Sequence, residues 1–422
     1  MPSVGLGIAG LGTVAQGVLQ IIGRNHRIIL ERTGIDLRVA RVASRSAKPD
    51  VDLLGAQFGA DLDMLYRDPA VDIVLELIGG EDTARDLIRS ALMAGKPVVT
   101  ANKAVIANSG NQLLGSNAEV PLRFEAAVAG AIPIVQAVQQ GLVANQFEHI
   151  VGIINGTCNY ILTAMAQQGT AFDDALRTAQ ELGYAEADPT FDVGGIDAAH
   201  KLTILLALAF DAQFNLPGVY VEGISHVTPA DIRYAGELGY CIKHVGIARR
   251  SADGVEARVH PALLPAEQLL ANVNDVANAV LVKADAAGHT LFSGPGAGGE
   301  ATASAVLADV LAIAAGSGAR QAQPRRALEY LPIEEIVTAY YLRIPTRDEP
   351  GVFARVANAL STHGISIEAA IQKEPRAQQD VVDIVILTGD SREREVDAAL
   401  AEVRALPQVA GEIARIRVES LE

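Results

Sequence analysis

Three shortages narrow what this chain of 422 residues can be. Cysteine is the first: only Cys158 and Cys241 occur. Two cysteines make no disulfide framework, and a reducing, cytoplasmic compartment is the natural expectation. Positive charge is the second. With 34 Lys and Arg against 50 Asp and Glu, the net charge is −16, the wrong sign for non-specific binding to nucleic acid. The third is a long apolar run. The longest one, 202–210, falls well short of the ~20 residues that a membrane span requires. The opening Met1-Pro2-Ser3-Val4 puts no basic region ahead of its apolar run, so neither a membrane partner nor a signal peptide is expected. Low-complexity tracts and short-period repeats are missing too.

What is present suits a globular protein. Half the residues are hydrophobic and 20% are charged, and the length requires two or three domains. A short apolar run at 4–9, a glycine turn and an apolar-periodic segment at 14–30 read as strand, turn and helix. Strands follow at 37–42, 71–78 and 98–100, with a helix at 82–94 between the last two. Strands alternating with helices imply a parallel sheet covered on both faces, an α/β class. Beyond about 130, helical patterns dominate to 210. Strand-like pieces then appear, with turns at Ala252-Asp253-Gly254 and Ala286-Ala287-Gly288, as in an α+β domain. Residues 317–336 read as a connector. From 338 the order is strand 339–345, helix 352–363, strands 365–372 and 381–387, helix 392–406 and strand 413–418. That βαββαβ order is a ferredoxin-like unit.

Gly10-Leu11-Gly12-Thr13-Val14-Ala15 matches G-x-G-x-x-G/A between a strand and a helix. The first glycine permits the tight turn and the second lets a pyrophosphate approach the backbone. The small last residue lets helix pack on strand. The pyrophosphate then lies at the positive end of the helix. The second strand ends Arg41-Val42-Ala43-Ser44-Arg45-Ser46-Ala47-Lys48, without the carboxylate that binds an NAD ribose. Arg45 or Lys48 is placed to meet a 2′-phosphate, which favours NADP over NAD. Lys103 follows the 98–100 strand, at the carboxyl end where open α/β sheets bind ligands.

The densest chemistry lies at 183–201. Glu186, Asp188, Asp192 and Asp197 stand in a glycine- and proline-bearing loop that runs into an apolar helix carrying Lys201. Asp197 and Lys201 are four residues apart and share a helix face. A lysine desolvated there can serve as general acid or base near neutral pH. An ordinary i,i+4 ion pair is the plain alternative.

At these residues the chain resembles the homoserine dehydrogenase family over nearly all of its first 320 positions. The likeness covers the glycine motif, Glu76 to Gly80, Val98 to Lys103, Phe124 to Pro133, Gly152 to Tyr160, the 183–201 cluster and Gly294 to Gly298. The Glu186, Asp197 and Lys201 segment is specific to that family; the glycine fingerprint is not. The resemblance implies that Lys201 donates and accepts the proton at the substrate oxygen, with Asp197 beside it. Glu186 and Asp197 would hold homoserine and Asp192 would support them. It implies cofactor contacts at Gly10, Gly12, Thr13, Val14, Lys103, Gly183 and Gly298, and a monovalent cation, usually sodium, at Glu125, Val128, Gly130 and Ile132. Residues from 338 resemble an ACT domain, with a regulatory turn at Asp348, Gly351 and Val352 and an amino acid such as threonine as effector. With no aspartate kinase module ahead of the glycine motif, the monofunctional form is expected.

The expected architecture is a Rossmann-type dinucleotide-binding domain over 1–132, completed by about 300–322. An α+β catalytic and dimerisation domain over 133–299 and a ferredoxin-like ACT domain over 338–422 follow. The expected reaction interconverts L-aspartate 4-semialdehyde and L-homoserine with NAD(P)H, in a homodimer or homotetramer. Joined through a connector, the ACT unit is expected to be removable without loss of activity. Two rivals remain: an ACT-bearing 2-hydroxy-acid dehydrogenase, which would centre on a histidine–carboxylate pair, and a non-catalytic nucleotide and amino-acid sensor.

Overall fold

The computed structural model describes residues 2–117, 119–316, 326–373 and 380–421. It divides into two compact units. The first comprises Met1–Ile154, Ala199–Val219 and Ala277–Leu328; the second comprises Asn155–Ala198, Tyr220–Val276 and Glu329–Glu422.

In the first unit the alternating strands form one parallel sheet. Along the chain these are β1 (Ser3–Ala9), α1 (Thr13–Thr33), β2 (Asp36–Ala43), β3 (Gln57–Gly59), β4 (Ile73–Glu76), α2 (Asp82–Met93), β5 (Val98–Thr100), α3 (Lys103–Ser116) and β6 (Leu122–Arg123). Their spatial order is 3-2-1-4-5-6, with every pairing parallel. This is the doubly wound arrangement, whose strand order reverses between β1 and β4. Leu6, Ile8, Leu75 and Val99 on one face and Val74 and Val98 on the other are all buried, as strands sandwiched by helices must be. Two of these strands, β3 and β6, are too short to carry a periodic signal. The strand expected over 71–78 shrinks to Ile73–Glu76, because the N–H of Ile78 turns back onto the Glu76 side chain (2.9 Å).

The strand Phe147–Ile153 lies where helix was expected. It pairs antiparallel with Ala277–Ala284, which pairs in turn with Gly288–Pro295. Its apolar run does not reveal its period, and its partners lie more than a hundred residues away. The helix Gly299–Ala314 returns to pack on α1. A methyl on Gly17 would lie 2.6 Å from the Gly299 carbonyl oxygen, so backbones meet there.

The second unit includes the helices Gly156–Gln168, Phe172–Glu181 and Pro229–Glu237, and the hairpin of Tyr240–Arg250 with Val255–Pro265. The C-terminal βαββαβ order is realised with strands Val337–Arg347, Ile367–Gln372, Val381–Thr388 and Ala414–Val418, and helices Val352–Thr362 and Glu393–Arg404. Ala414–Val418 pairs on one side with Val337–Arg347 and on the other with Val255–Pro265, so the C-terminal domain shares a sheet with the hairpin. It shares a core as well: Ile224, Tyr234, Ile242 and Leu263 pack with Tyr341, Val385, Leu387 and Ile416. The expectation of a detachable C-terminal unit is therefore corrected. Of the connector expected over 317–336, residues 317–325 lie outside the described residues. Its remainder is tied down, with Arg326 bonded to Asp211 and Gln213, and Glu329 and Leu331 bonded to Val255. No helix among the described residues is long and apolar enough to cross a membrane.

Candidate active site

The glycine turn follows β1, and each glycine has its own reason. Gly10 has a φ of 95°, and a methyl on it would meet the Leu77 carbonyl oxygen at 2.6 Å. Only glycine fits both constraints. Gly12, by contrast, has nothing within 4 Å of a built Cβ and caps α1 without a side-chain hydrogen bond. Its missing side chain leaves open space over the first turn of a 21-residue helix, where Thr13 and Val14 stand. The N-terminus of the helix Gly299–Ala314 adjoins it, since a methyl on Gly299 would lie 3.0 Å from Thr13. Gly298 caps that helix at a φ of 117°. Gly10, Gly12, Thr13, Val14 and Gly298 are thus brought together, and two helix N-termini present a cradle suited to a diphosphate.

β2 ends against this turn, with the Gly10 N–H donating to the Ala43 carbonyl (2.8 Å). Arg45, two residues on, is exposed and has no ion pair among the described residues, whereas Arg41 is paired with Asp68. At the ends of β4 and β5, burial pushes the Glu76 carboxyl up to about 7. Thr100 donates its hydroxyl to Glu76 and accepts the Asn102 N–H (2.9 Å). Asn102 then caps α3 by accepting the Val105 N–H (3.2 Å) and spends its own amide on the Gly80 carbonyl (2.7 Å). This chain of bonds fixes Lys103 as the first residue of α3.

The candidate cation loop belongs to the same unit. Glu125 is buried, and its two oxygens accept the Val135 and Gln136 N–H groups at 2.9 and 2.7 Å. Burial and the neighbouring Asp309 push its carboxyl up to about 7. Ala129 and Gly130 turn through left-handed backbone, with φ of 54° and 57°. The carbonyls of Val128 and Gly130 accept no backbone hydrogen bond among the described residues, while that of Ile132 accepts the Ile134 N–H (2.8 Å). A buried carboxyl and two carbonyls that accept no backbone hydrogen bond are the kind of oxygen donors a hard cation would use. No group of three or more His, Cys, Asp or Glu side chains among the described residues is placed to hold a metal, so any site here depends on main-chain oxygens.

In the second unit, Asn155 organises the carboxylates. Buried at the N-cap of the helix Gly156–Gln168, it accepts the Cys158 N–H with Oδ1 (2.8 Å). Its Nδ2 donates to Asp192 Oδ1 and to Asp197 Oδ2, both at 2.8 Å. One side chain thus clamps two acids that are five positions apart in sequence. Asp197 is 4% exposed and Asp192 half-buried, while Glu186 and Gly183 are exposed. Gly183 adopts a φ of 76°. Asp197 stands in the first turn of the helix Ile196–Ala209, which also carries Lys201. In the first unit, Lys201 is 9% exposed and donates Nζ to the Ile154 carbonyl (2.7 Å). Sequence reasoning passed over Asn155, although the N-cap pattern Asn-Gly-Thr-Cys was there to be read. In the C-terminal domain, Gly351 caps the helix Val352–Thr362 at a φ of 84° with no side-chain bond. Val352 is buried and Asp348 exposed.

A parallel sheet in this order, a glycine cradle at its switch point and a clamped pair of acids define a nicotinamide-dinucleotide-dependent oxidoreductase. Residues 10–124 match the family model described as homoserine dehydrogenase, NAD binding domain; residues 133–311 match homoserine dehydrogenase, and residues 340–405 match the ACT domain. Homoserine dehydrogenases of Pseudomonas aeruginosa and Neisseria gonorrhoeae are 47% and 44% identical, each alignment covering 100% of both chains. The crystal structure of a homoserine dehydrogenase from Thiobacillus denitrificans superposes with a TM-score of 0.94 at 47% identity, covering 100% of this chain and 99% of that one. The chain belongs to the homoserine dehydrogenase family, oxidoreductases of amino-acid biosynthesis that interconvert L-homoserine and L-aspartate 4-semialdehyde.

Proposed function

We propose that Lys201 is the proton carrier of this reaction and that Asp197, Asp192 and Glu186 hold the amino-acid end of the substrate. The observation that carries this reading is the Asn155 clamp, which keeps two carboxylates oriented. Ionised carboxylates only accept hydrogen bonds, so they suit the substrate ammonium. In the reductive direction Lys201 gives its proton to the developing alkoxide oxygen, and in the oxidative direction it takes the proton back. When bound, the nicotinamide supplies the hydride chemistry. Gly10, Gly12, Thr13, Val14 and Gly298 cradle the diphosphate, Lys103 contacts the cofactor near the reaction centre, and Gly183 borders it.

Three finer readings accompany this one. Arg45 favours NADP by meeting the 2′-phosphate; a hyperthermophilic archaeal homoserine dehydrogenase solved in complex with NADPH is 27% identical, with a TM-score of 0.63, over 74% of this chain and 97% of that one. Sodium occupies the loop of Glu125, Val128, Gly130 and Ile132. The ACT domain, over 338–422, binds threonine or a related amino acid around Asp348, Gly351 and Val352. The dinucleotide-binding domain then spans 1–132 with 300–322, the catalytic domain 133–299, and the enzyme works as a homodimer or homotetramer.

Steady-state turnover of homoserine with NADP⁺ and NAD⁺ tests the core of this. Lys201→Ala is expected to lower kcat by roughly 10²–10⁴-fold with cofactor affinity nearly intact. A variant with near-normal kcat removes Lys201 from the chemistry. Arg45→Ala is expected to weaken NADPH far more than NADH, and equal losses leave Arg45 a surface charge.

A further inference from the structure

The substrate-holding loop of the second unit rests on a strip of chain with no slack. Gly223 lies directly beneath it: a methyl there would come within 2.4 Å of the Val193 carbonyl oxygen and 2.9 Å of the Gly194 Cα. The Ile224 N–H donates to that same Val193 carbonyl (2.9 Å). From above, a methyl on Gly195 would lie 3.0 Å from Val221 and 3.3 Å from the His244 ring. The turn 193–195 is therefore seated on residues 221–224, with Asp192 immediately before it and Asp197 two residues after.

Glu222 fixes that strip. Its N–H donates to the Val259 carbonyl (2.8 Å), and its carbonyl is bonded to His244 Nε2 (3.0 Å). Its side chain collects three partners. Tyr220 donates its hydroxyl (2.9 Å), His226 approaches at 3.2 Å, and Arg417 donates Nη1 at 2.8 Å. Arg417 comes from the last strand of the ACT domain and is buried. Its Nε donates to Glu393 at 2.8 Å, its Nη2 donates to Glu393 as well, and its guanidinium lies over the Tyr220 ring at 4.9 Å. The buried cation thus spans two carboxylates, one in each domain, and close-packed surroundings pass displacement on rather than absorb it.

We propose that Glu222, pinned by Arg417, is a positioning residue for Asp192 and Asp197, so that the ACT domain is part of the scaffold of the substrate site. This rests on the substrate-holding role given above to those two acids. Neither Glu222 nor Arg417 contacts substrate; they act by setting the seat of the loop. Such a role moves KM for homoserine, because alignment of the ammonium is lost, and leaves the cofactor cradle alone.

The test is steady-state kinetics on the full chain with three variants. Glu222→Gln keeps shape and loses charge, while Arg417→Lys keeps charge and loses the two-armed span. Both are expected to raise KM for homoserine roughly tenfold, with NADPH affinity, followed by fluorescence titration, unchanged; the double variant is expected to be no worse than either single one, as coupled residues behave. Should the buried charge keep either from folding, Tyr220→Phe removes only a hydroxyl from Glu222, and a rise of roughly two- to threefold in KM is expected. An unchanged KM in a folded variant, additive losses, or a parallel loss of NADPH affinity each overturns the proposal. Asp197→Asn separates the two readings. If it raises KM while the Glu222 and Arg417 variants do not, only the positioning role fails; if it leaves KM unchanged, the substrate-holding role fails first.

Discussion

Asn155 shows how much one residue can decide. Its position needs an acceptor for the helix N-terminus and two N–H donors for Asp192 and Asp197, and among side chains of this size only asparagine offers both. Aspartate at the same place still caps a helix well but brings a third negative charge and no donors. Asn155→Asp is expected to lower the melting temperature, because buried Asp197 loses a donor and faces a new like charge, and to lose at least roughly tenfold in kcat/KM for homoserine; unchanged kinetics would reduce Asn155 to a cap. His244 makes a second prediction at this scale. Burial pulls its imidazole down to about 4, so it stays neutral in the folded protein while the unfolded chain protonates near 6.5. Between those values the unfolded state binds the extra proton, and stability is lost as pH falls from about 6.5 to about 4. The loss attributable to this ring is on the order of 3 kcal/mol. Urea unfolding at several pH values is expected to give a shallower slope across that window for His244→Asn than for the parent.

Among elements, the crossing of α1 on the helix Gly299–Ala314 is the junction on which the cofactor cradle depends. Glycine inside a helix ordinarily costs about 0.5–1 kcal/mol relative to alanine, so Gly→Ala is usually a gain there. Gly115, inside α3, has nothing within 4 Å of a built Cβ, and Gly115→Ala is expected to follow that rule. Gly17→Ala is expected to reverse it, because the added methyl would lie 2.6 Å from a backbone oxygen. A loss of roughly 1–3 kcal/mol is expected from such overpacking, together with weaker NADPH binding as Gly298 and Gly299 are pushed from Gly12. Paired denaturation and NADPH titration of the two variants check this. If both variants gain stability, the close crossing is not what holds the cradle.

For the whole molecule, the C-terminal domain is built into the second unit. Asp231 is buried and accepts the Tyr341 hydroxyl (3.1 Å) and Arg343 Nε (2.6 Å), while Arg258 is held by Glu419. Truncation before residue 337 removes these partners and opens the apolar cluster of Ile224, Ile242 and Leu263 to water, forfeiting the burial that stabilises it. The truncated chain is expected to be aggregated or to melt far below the parent. A soluble, fully active truncation would contradict the shared core. Regulation is tested on the intact chain, where threonine at millimolar-order concentration is expected to lower activity by favouring one of two states.

Local pattern was legible in the sequence. The glycine turn after β1, the βαββαβ order of the last domain and the Glu186-to-Lys201 segment depend on neighbours in the chain, where periodicity and side-chain type suffice. The strand Phe147–Ile153 was not legible, because its partner begins at Ala277 and a short apolar run such as 150–154 does not declare its period. Asn155 stood in plain view as a cap, yet its two carboxylates lie 37 and 42 positions away. The same holds for Arg417, whose Glu222 is 195 positions distant. The sequence by itself determined most of the elements along the chain and offered the acids and the lysine to which the proposed chemistry is given. Only tertiary structure decided which of them meet, because buried charges and close backbone contacts are settled by long-range packing that no local pattern encodes.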